Sequence, residues 1–371
     1  MFKTVNEIGD VSNRRVLVRV DFNIPVTNGS VSDDFRIRKT LPTINFLREK
    51  GAKIFLVGHF GSERDESMKI VADYCKKYFP TVFAETIDKA KNLDIKSGEV
   101  VLLENLRLLD KGEVDNDSVF AKKLASLGEI YINEAFSVSH RAHASIVGLP
   151  KILPSYVGLL FAEEVAMLSK AFNPEHPFIF VSGGKKSGTK IPLIEKFLGS
   201  ADKLFIGGAL ANDFLKAKGL SIGKSTISEN SEIKKDWLES SKLILPKDVI
   251  VDRAGKKIEI LAEKVEEEDK IVDAGDSFVK ELRAALKEAK LVVWNGPLGL
   301  CEDGFCLGTD NVASAIADSK AFSIVGGGDT EAQIDSIGLI PKFSFVSTGG
   351  GAMLEFLASG TLPGLEALDS N

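Results

Sequence analysis

Short apolar, β-branched runs alternating with longer amphipathic stretches constrain this chain most. The runs are RVLVRV (15–20), AKIFLVG (52–58), EVVLLE (99–104) and EIYINE (129–134). After a break come PFIFVSG (177–183), KLFIGG (203–208), DVIVD (248–252), LVVWNG (291–296), FSIVGG (322–327) and FSFVST (343–348). Between them lie segments with helical spacing, such as RKTLPTINFLREKG (38–51) and DSFVKELRAALKEAK (276–290). Strands that alternate with helices need crossover connections and pair in parallel, which predicts an α/β chain of two doubly wound parallel-sheet domains. Nearly every run ends in a polar or glycine-rich loop, and open parallel sheets place ligands outside the carboxyl ends of their strands. No G-x-G-x-x-G follows the first run, which weakens a dinucleotide reading.

The break lies near 150–175. PKILPSYVG carries two prolines and a glycine, and LLFAEEVAMLSKAF (159–172) then has apolar residues at helical spacing. The expected organisation is an N-terminal domain over 1–157, a connecting helix over 158–173 and a C-terminal domain over 174–357, with an interdomain cleft. A chain of 371 residues is long enough to bury two cores. No stretch approaches the ~20 apolar residues a membrane helix needs. The start, MFKTVNEIGD, lacks the basic and apolar regions of a secretory signal. Three cysteines, Cys75, Cys301 and Cys306, are too few and too odd in number for a disulfide framework. Together these favour the cytoplasm and no membrane. A net charge of −6 argues against a general nucleic-acid binder.

Charge and glycine are unevenly placed. Nine of the eleven arginines fall in the first 141 residues, whereas the clusters Gly183-Gly184, Gly207-Gly208, Gly326–Gly328 and Gly349–Gly351 are all late. Arginine forks bind carboxylate and phosphate through side chains; glycine clusters bind phosphate through bare backbone N–H groups. The segment VSGGKKSGTK (181–190) looks like a phosphate loop, yet Thr189 precedes Lys190, the reverse of a P-loop.

Ten motifs in order carry a resemblance. They are RVDFNIP (19–25), DDFRI (33–37), GHFG (58–61), LLENLR (102–107), YINEAFSVSHRAHAS (131–145), GGKKSGTKI (183–191), IGGALANDFL (206–215), WNGPLGLCE (294–302), GGGDT (326–330) and STGGGAMLEFL (347–357). With these the chain resembles the phosphoglycerate kinase family nearly end to end. The resemblance implies reversible phosphoryl transfer between 1,3-bisphosphoglycerate and ADP, giving 3-phosphoglycerate and ATP, with magnesium. It implies a monomer whose partners are small molecules, and a tail, 358–371, that packs back on the N-terminal domain through Leu362, Leu365 and Leu368. It places the glycerate on Asp21 and Asn23, its phosphate on His59, Arg107 and Arg141, and Arg36 beside the transferring group. On the nucleotide side it assigns Lys186 to transition-state charge and Lys190 to the ATP phosphates, with Gly183, Gly184, Gly207 and Gly208 letting backbone approach. Asp329 would reach magnesium, Gly326, Gly327, Gly328 and Thr330 would form the nest at the phosphates, and Glu302 would take a ribose hydroxyl. Gly351, with Gly349 and Gly350, would supply N–H donors at the transferring group. Two domains closing over a dry cleft suits a reaction threatened by hydrolysis.

This sequence also departs from the family pattern. Ser62 stands where the family has a phosphate-binding arginine, and Arg64 follows two residues later. Either Arg64 substitutes from a displaced position or one phosphate contact is missing. Lys185 and Ser187 replace the usual alanine and valine, Glu134 the usual aspartate, and Phe345 a common histidine. A catalytically weakened nucleotide-binding scaffold with the same fold is the alternative, although Arg36, Lys186, Lys190 and Asp329 are all retained. Plainer readings stand beside several positions. Asp21 after a strand caps a turn; Arg14, Arg15, Arg48 and Lys185 are solvated; His143 is a structural hydrogen-bonder. HRAH (140–143) has no carboxylate or cysteine partner at a telling distance, and Cys301 and Cys306 lack two further zinc ligands.

Overall fold

The computed structural model describes residues 2–61, 66–185, 187–228 and 233–369. The chain divides into two compact units, Met1–Ala166 with Thr361–Asn371, and Met167–Gly360. The division falls inside the helix Leu159–Leu168, which a 3₁₀ turn, Ser169–Ala171, extends.

In the first unit six strands form one parallel sheet: β1 (Arg15–Arg19), β4 (Lys53–Val57), β5 (Thr81–Ala84), β6 (Val100–Leu103), β7 (Ile130–Asn133) and β8 (Ser155–Val157). A short hairpin, β2 (Val26–Thr27) and β3 (Ser30–Val31), follows the first of them. The spatial order is β5-β6-β4-β1-β7-β8. β6 and β7 are buried along their whole length, and β1 and β4 everywhere except their first residue. Such continuous apolar runs are what a sheet covered on both faces requires. Val16 and Val18 of β1 and Ile54 and Leu56 of β4 share one core with Ile37, Ile44 and Leu47 of the helix Phe35–Glu49. The chain builds outward from β1 in both directions, so the switch point of the sheet lies at β1.

The second unit repeats the device. Its parallel sheet contains β9 (Phe178–Ser182), β10 (Lys203–Ile206), β11 (Leu243–Ile244), β15 (Leu291–Asn295), β16 (Phe322–Gly326) and β17 (Phe345–Ser347) in the order β11-β10-β9-β15-β16-β17. The DVIVD run does not join it. It forms β12 (Asp248–Arg253), which pairs antiparallel with β13 (Lys256–Leu261) and β14 (Lys270–Ala274) in a separate sheet. The reason is local: Ala254 and Gly255 both have positive φ, 52° and 80°, and that two-residue turn folds β13 straight back on β12.

The C-terminal residues lie in the first unit. Helix Pro363–Asp369 buries Leu365 and Leu368, with Leu362 just before it, and Gly364 N–H donates to Ser139 C=O at 2.9 Å. A Cβ at Gly364 would sit 2.8 Å from the Ser139 Cβ. Arg15 and Arg48 depart from the solvated reading. Arg15 donates to Lys91 C=O at 3.0 Å and lies over Phe55, and Arg48 donates to Gly98 C=O at 3.2 Å.

Glu134 is buried below the start of the helix Leu159–Leu168, accepting Leu160 N–H at 3.2 Å and Phe161 N–H at 3.4 Å. Burial pushes its carboxyl up to about 8, against hydrogen bonds from Thr43, Leu160 and Phe161. Between the ordinary carboxylate range and about 8, the folded state therefore binds more protons than the unfolded state, and stability falls as pH rises. Glu134→Gln removes that titration. Its melting temperature should gain on the parent as pH is raised from 5 to 8, by about 2–4 °C per kcal/mol for a unit of this size. A difference in thermal unfolding that is constant or shrinks over this range contradicts the assignment.

Candidate active site

The polar residues of the first unit collect where its strands end. Asp21 and Asn23 follow β1, His59 follows β4, Arg107 follows β6 and Arg141 follows β7. Arg36 comes in from the first turn of the helix Phe35–Glu49. Its Nη1 donates to Asp21 Oδ2 at 2.6 Å and to Asn23 C=O at 3.2 Å. Asp21 also accepts from Ser137 Oγ, and Asn23 Oδ1 accepts Gly61 N–H at 2.9 Å. Burial alone would push the Asp21 carboxyl up, but the Arg36 guanidinium above all, with the Ser137 hydroxyl and Arg19, holds it below the usual carboxylate range. It is thus an anion at any physiological pH.

Positive charge exceeds negative here. Arg107 Nη1 donates to Gly61 C=O at 3.2 Å, and Asn105 Oδ1 accepts Arg107 N–H at 3.1 Å, fixing the turn. Arg141 is exposed, its Nε beside His140 Nε2 at 3.3 Å. Burial, Arg141 and Arg19 lower the pKa of Arg107 from the usual arginine value, a sign of crowded like charge. Guanidinium groups held together like this favour a multivalent anion.

In the second unit the loops after β9, β10 and β15 touch through backbone. Gly183 N–H donates to Asn295 C=O at 3.0 Å, Gly184 N–H to Pro297 C=O at 2.7 Å, and Gly207 N–H to Ser182 C=O at 2.8 Å. A Cβ at Gly183 would sit 2.2 Å from Pro297 O, and one at Gly208, where φ is +59°, 2.5 Å from Gly184 N. Only glycine fits this approach. Lys190 is buried, and its Nζ donates to Gly183 C=O. After β16, Gly327 has φ +108° and caps the helix Gly328–Ser336; Gly328 and Asp329 are exposed in its first turn. Thr330 is buried, and its Oγ1 accepts Gly296 N–H at 3.0 Å, tying this helix to the loop after β15. After β17, Gly350 caps the helix Gly351–Ser359, whose first residue is exposed. Glu302 is exposed in a 3₁₀ turn, Cys301–Asp303. A small hollow beside Gly208 is lined by Ala209, Val272, Leu298 and Leu300, with Asn212, Thr226 and Asp273 as its polar members.

A family model described as "Phosphoglycerate kinase" matches residues 5–360. The chain belongs to the phosphoglycerate kinase family. It is 43% identical over 382 residues to the phosphoglycerate kinase of Coprothermobacter proteolyticus, covering 97% of each chain. To that of Dictyoglomus turgidum it is 40% identical, covering 97% of this chain and 96% of that one. The solved phosphoglycerate kinase of Coxiella burnetii has a TM-score of 0.84 at 36% identity, over 100% of this chain and 99% of that one. The Pyrococcus horikoshii OT3 structure gives 0.87 at 32% identity, over 100% and 98%.

Against that family pattern, Ser62, Arg64 and Lys186 lie outside the described residues. Three features escaped the sequence. Ser137 is one, although it sits inside a quoted motif. Asn295, whose Nδ2 donates to Gly326 C=O at 2.9 Å, is another. The third is a correction: the Cys301 and Cys306 sulfurs are bonded, so two of the three cysteines pair. Gly304, with φ 79°, turns the chain back and brings their Cα atoms to 4.7 Å. Cys75 is buried, and burial pushes its thiol up to about 12.

Gly208→Ala tests the backbone cradle. Either the loop after β9 or Pro297 must shift to make room for the methyl group. Affinity for ATP measured by calorimetry should drop tenfold or more, the equivalent of about 1.4 kcal/mol, with the circular dichroism spectrum retained. Unchanged affinity would show that the loop contact has no part in holding nucleotide.

Proposed function

We propose that the chain transfers a phosphoryl group reversibly between 1,3-bisphosphoglycerate and ADP, giving 3-phosphoglycerate and ATP, with glycerate bound by the first unit and nucleotide by the second. The observation that carries the division is the contrast between the strand-end loops of the two sheets. Those of the first unit bear Arg107, Arg141 and His59, with Arg36 reaching in from a helix; those of the second bear glycines packed against backbone. Asp21 and Asn23 would take the glycerate hydroxyl and carboxyl region, with Arg107, Arg141 and His59 on the phosphate that does not transfer. Arg36, held by Asp21, would face the one that does. On the nucleotide side the base would lie against the hollow beside Gly208, with the ribose on Glu302. The phosphates would rest against Lys190 and the N–H groups of Gly326 to Thr330, at a helix N-terminus suited to anions. Lys186 and the turn at Gly351 would meet charge on the equatorial oxygens.

Asp329 suits magnesium. Among the described residues no three His, Cys, Asp or Glu side chains gather to hold a metal, so a cation here would take most of its ligands from phosphate and water. Magnesium is usually bound in that way, through one or two carboxylates plus substrate phosphates. Asp329 would hold it there, and the chemistry it would supply is neutralisation of phosphate charge. The side chains then have no proton to remove, because the acceptor is already an anion. They align the reactants and stabilise charge. No helix among the described residues is long and apolar enough to cross a membrane. The family resemblance carries the further expectation of a monomer acting in the cytoplasm; sedimentation of the purified chain checks the first part.

A coupled assay with ATP and 3-phosphoglycerate tests the reaction, and absence of turnover sinks the proposal. Two variants test the roles. Arg141→Ala removes binding that is nearly equal in ground and transition states, so KM for 3-phosphoglycerate should rise about tenfold or more with kcat within about threefold. Arg36→Ala should instead lower kcat by roughly 10²–10³-fold. The opposite pattern would mean that the two arginines have been exchanged.

A further inference from the structure

Beside the basic cluster lies a buried arginine network to which no role has been assigned above. Arg19, the last residue of β1, is fully buried. Its Nε donates to Ser145 Oγ at 2.8 Å, its Nη1 to Val20 C=O, and its Nη2 lies 3.3 Å from His59 Nδ1. The counter-charge is Glu113, also fully buried, with Oε1 4.0 Å from Arg19 Nη2. Glu113 accepts Ser145 N–H at 3.0 Å and Ser145 Oγ–H at 2.6 Å, and His143 Nδ1 stands 3.7 Å away. Burial alone would raise that carboxyl, but His143, Arg19 and Ser145 outweigh it and hold it below the usual range.

A guanidinium has five N–H donors, no acceptor, and does not lose its proton in a protein. At the Arg19–His59 contact the arginine must therefore donate, and His59 Nδ1 must accept. An imidazole whose Nδ1 accepts carries its proton on Nε2. We propose that Arg19 is a positioning residue, its buried guanidinium holding His59 as the neutral tautomer that presents Nε2–H to the substrate phosphate.

The surroundings agree with neutrality. The groups facing the ring are Arg19 from β1, Asp21 from the loop after β1, Arg107 from the turn after β6 and Arg141 from the loop after β7. Burial lowers the pKa of His59, Asp21 opposes this, and the three arginines add to it, leaving it well below the usual imidazole value. Asp21 Oδ1 is 4.0 Å from Nδ1, so Arg19 is the nearer partner of that nitrogen. His59 thus contributes a directional hydrogen bond to the phosphate, and the arginines contribute the charge. That His59 meets phosphate at all rests on the function proposed above.

Two measurements separate the claims. Long-range ¹H–¹⁵N correlation of the ligand-free protein should show His59 with protonated Nε2 and bare Nδ1, unchanged between about pH 5.5 and 8. A protonated Nδ1, or a titration midpoint inside that range, overturns the proposal. In Arg19→Met, or in Arg19→Gln if that variant fails to fold, the same spectrum should show mixed tautomers, a change that a merely structural arginine would not produce. The kinetic arm uses geometry: a glutamine amide nitrogen falls near the Nε2 position and an asparagine amide nitrogen near Nδ1. His59→Gln should keep KM for 3-phosphoglycerate within about threefold, and His59→Asn should raise it about tenfold, the loss of one hydrogen bond to a charged group. The reverse order overturns the proposal. If the spectrum holds but neither variant moves KM, Arg19 still sets the tautomer and the phosphate does not sit at His59, which overturns the binding half alone.

Discussion

A parallel sheet covered on both faces buries mainly apolar side chains along its strands and admits polar ones, such as Arg19, Asn133 and Asn295, chiefly at their last residues, and that constraint decides where this chain keeps its polar chemistry. Backbone groups within the sheet pair with each other, so the free polar groups are those at the strand ends. In the first unit β1 is central, and the loops after β1, β4, β6 and β7 converge from both sides of it. In the second, β9 and β15 are neighbours, and the loops after β9, β10, β15 and β16 converge likewise. The topology thus fixes the position of each half-site before any side chain is chosen.

The two units then meet the problem of holding phosphate in different ways. The first crowds guanidinium groups, a costly arrangement in the absence of an anion, and steadies it with Asp21 and Glu113. The second excludes side chains. Gly183, Gly208 and Gly296 each occupy a place where a Cβ would come within 2.6 Å of backbone, so three loops lock into one rigid surface. Side-chain forks suit a small ligand that must be gripped from several directions. Backbone N–H groups suit a phosphate chain that lies along a surface.

Much of this was legible in the sequence because buried parallel strands write themselves as continuous apolar runs. All ten quoted runs contain strands. The edge strands β5, β8 and β11 left no such mark, because TVFA and SYV are only partly buried and β11 is two residues long. DVIVD reads as a parallel strand until the turn at Ala254 and Gly255 is known, and an alanine at positive φ is not a signal that composition gives. Most site residues named by motif lie at strand ends, Arg36 and Lys190 lie on helices, and Ser62, Arg64 and Lys186 fall outside the described residues. Arg19 was quoted inside RVDFNIP yet drew no role, because a buried arginine acting through a histidine is visible only in three dimensions. The Cys301–Cys306 bond was missed for a related reason: spacing alone does not reveal the left-handed turn at Gly304.

The central claim is that anion recognition is divided, arginine side chains in one unit and glycine backbone in the other. Amide hydrogen exchange with each ligand added separately tests it most directly. Added alone, 3-phosphoglycerate should slow exchange in the loops following β1, β4, β6 and β7, and leave those following β9, β10, β15 and β16 at their free rates. ATP with magnesium should produce the converse map. Protection of the same loops by both ligands, or protection of the glycine loops by 3-phosphoglycerate alone, would contradict the account.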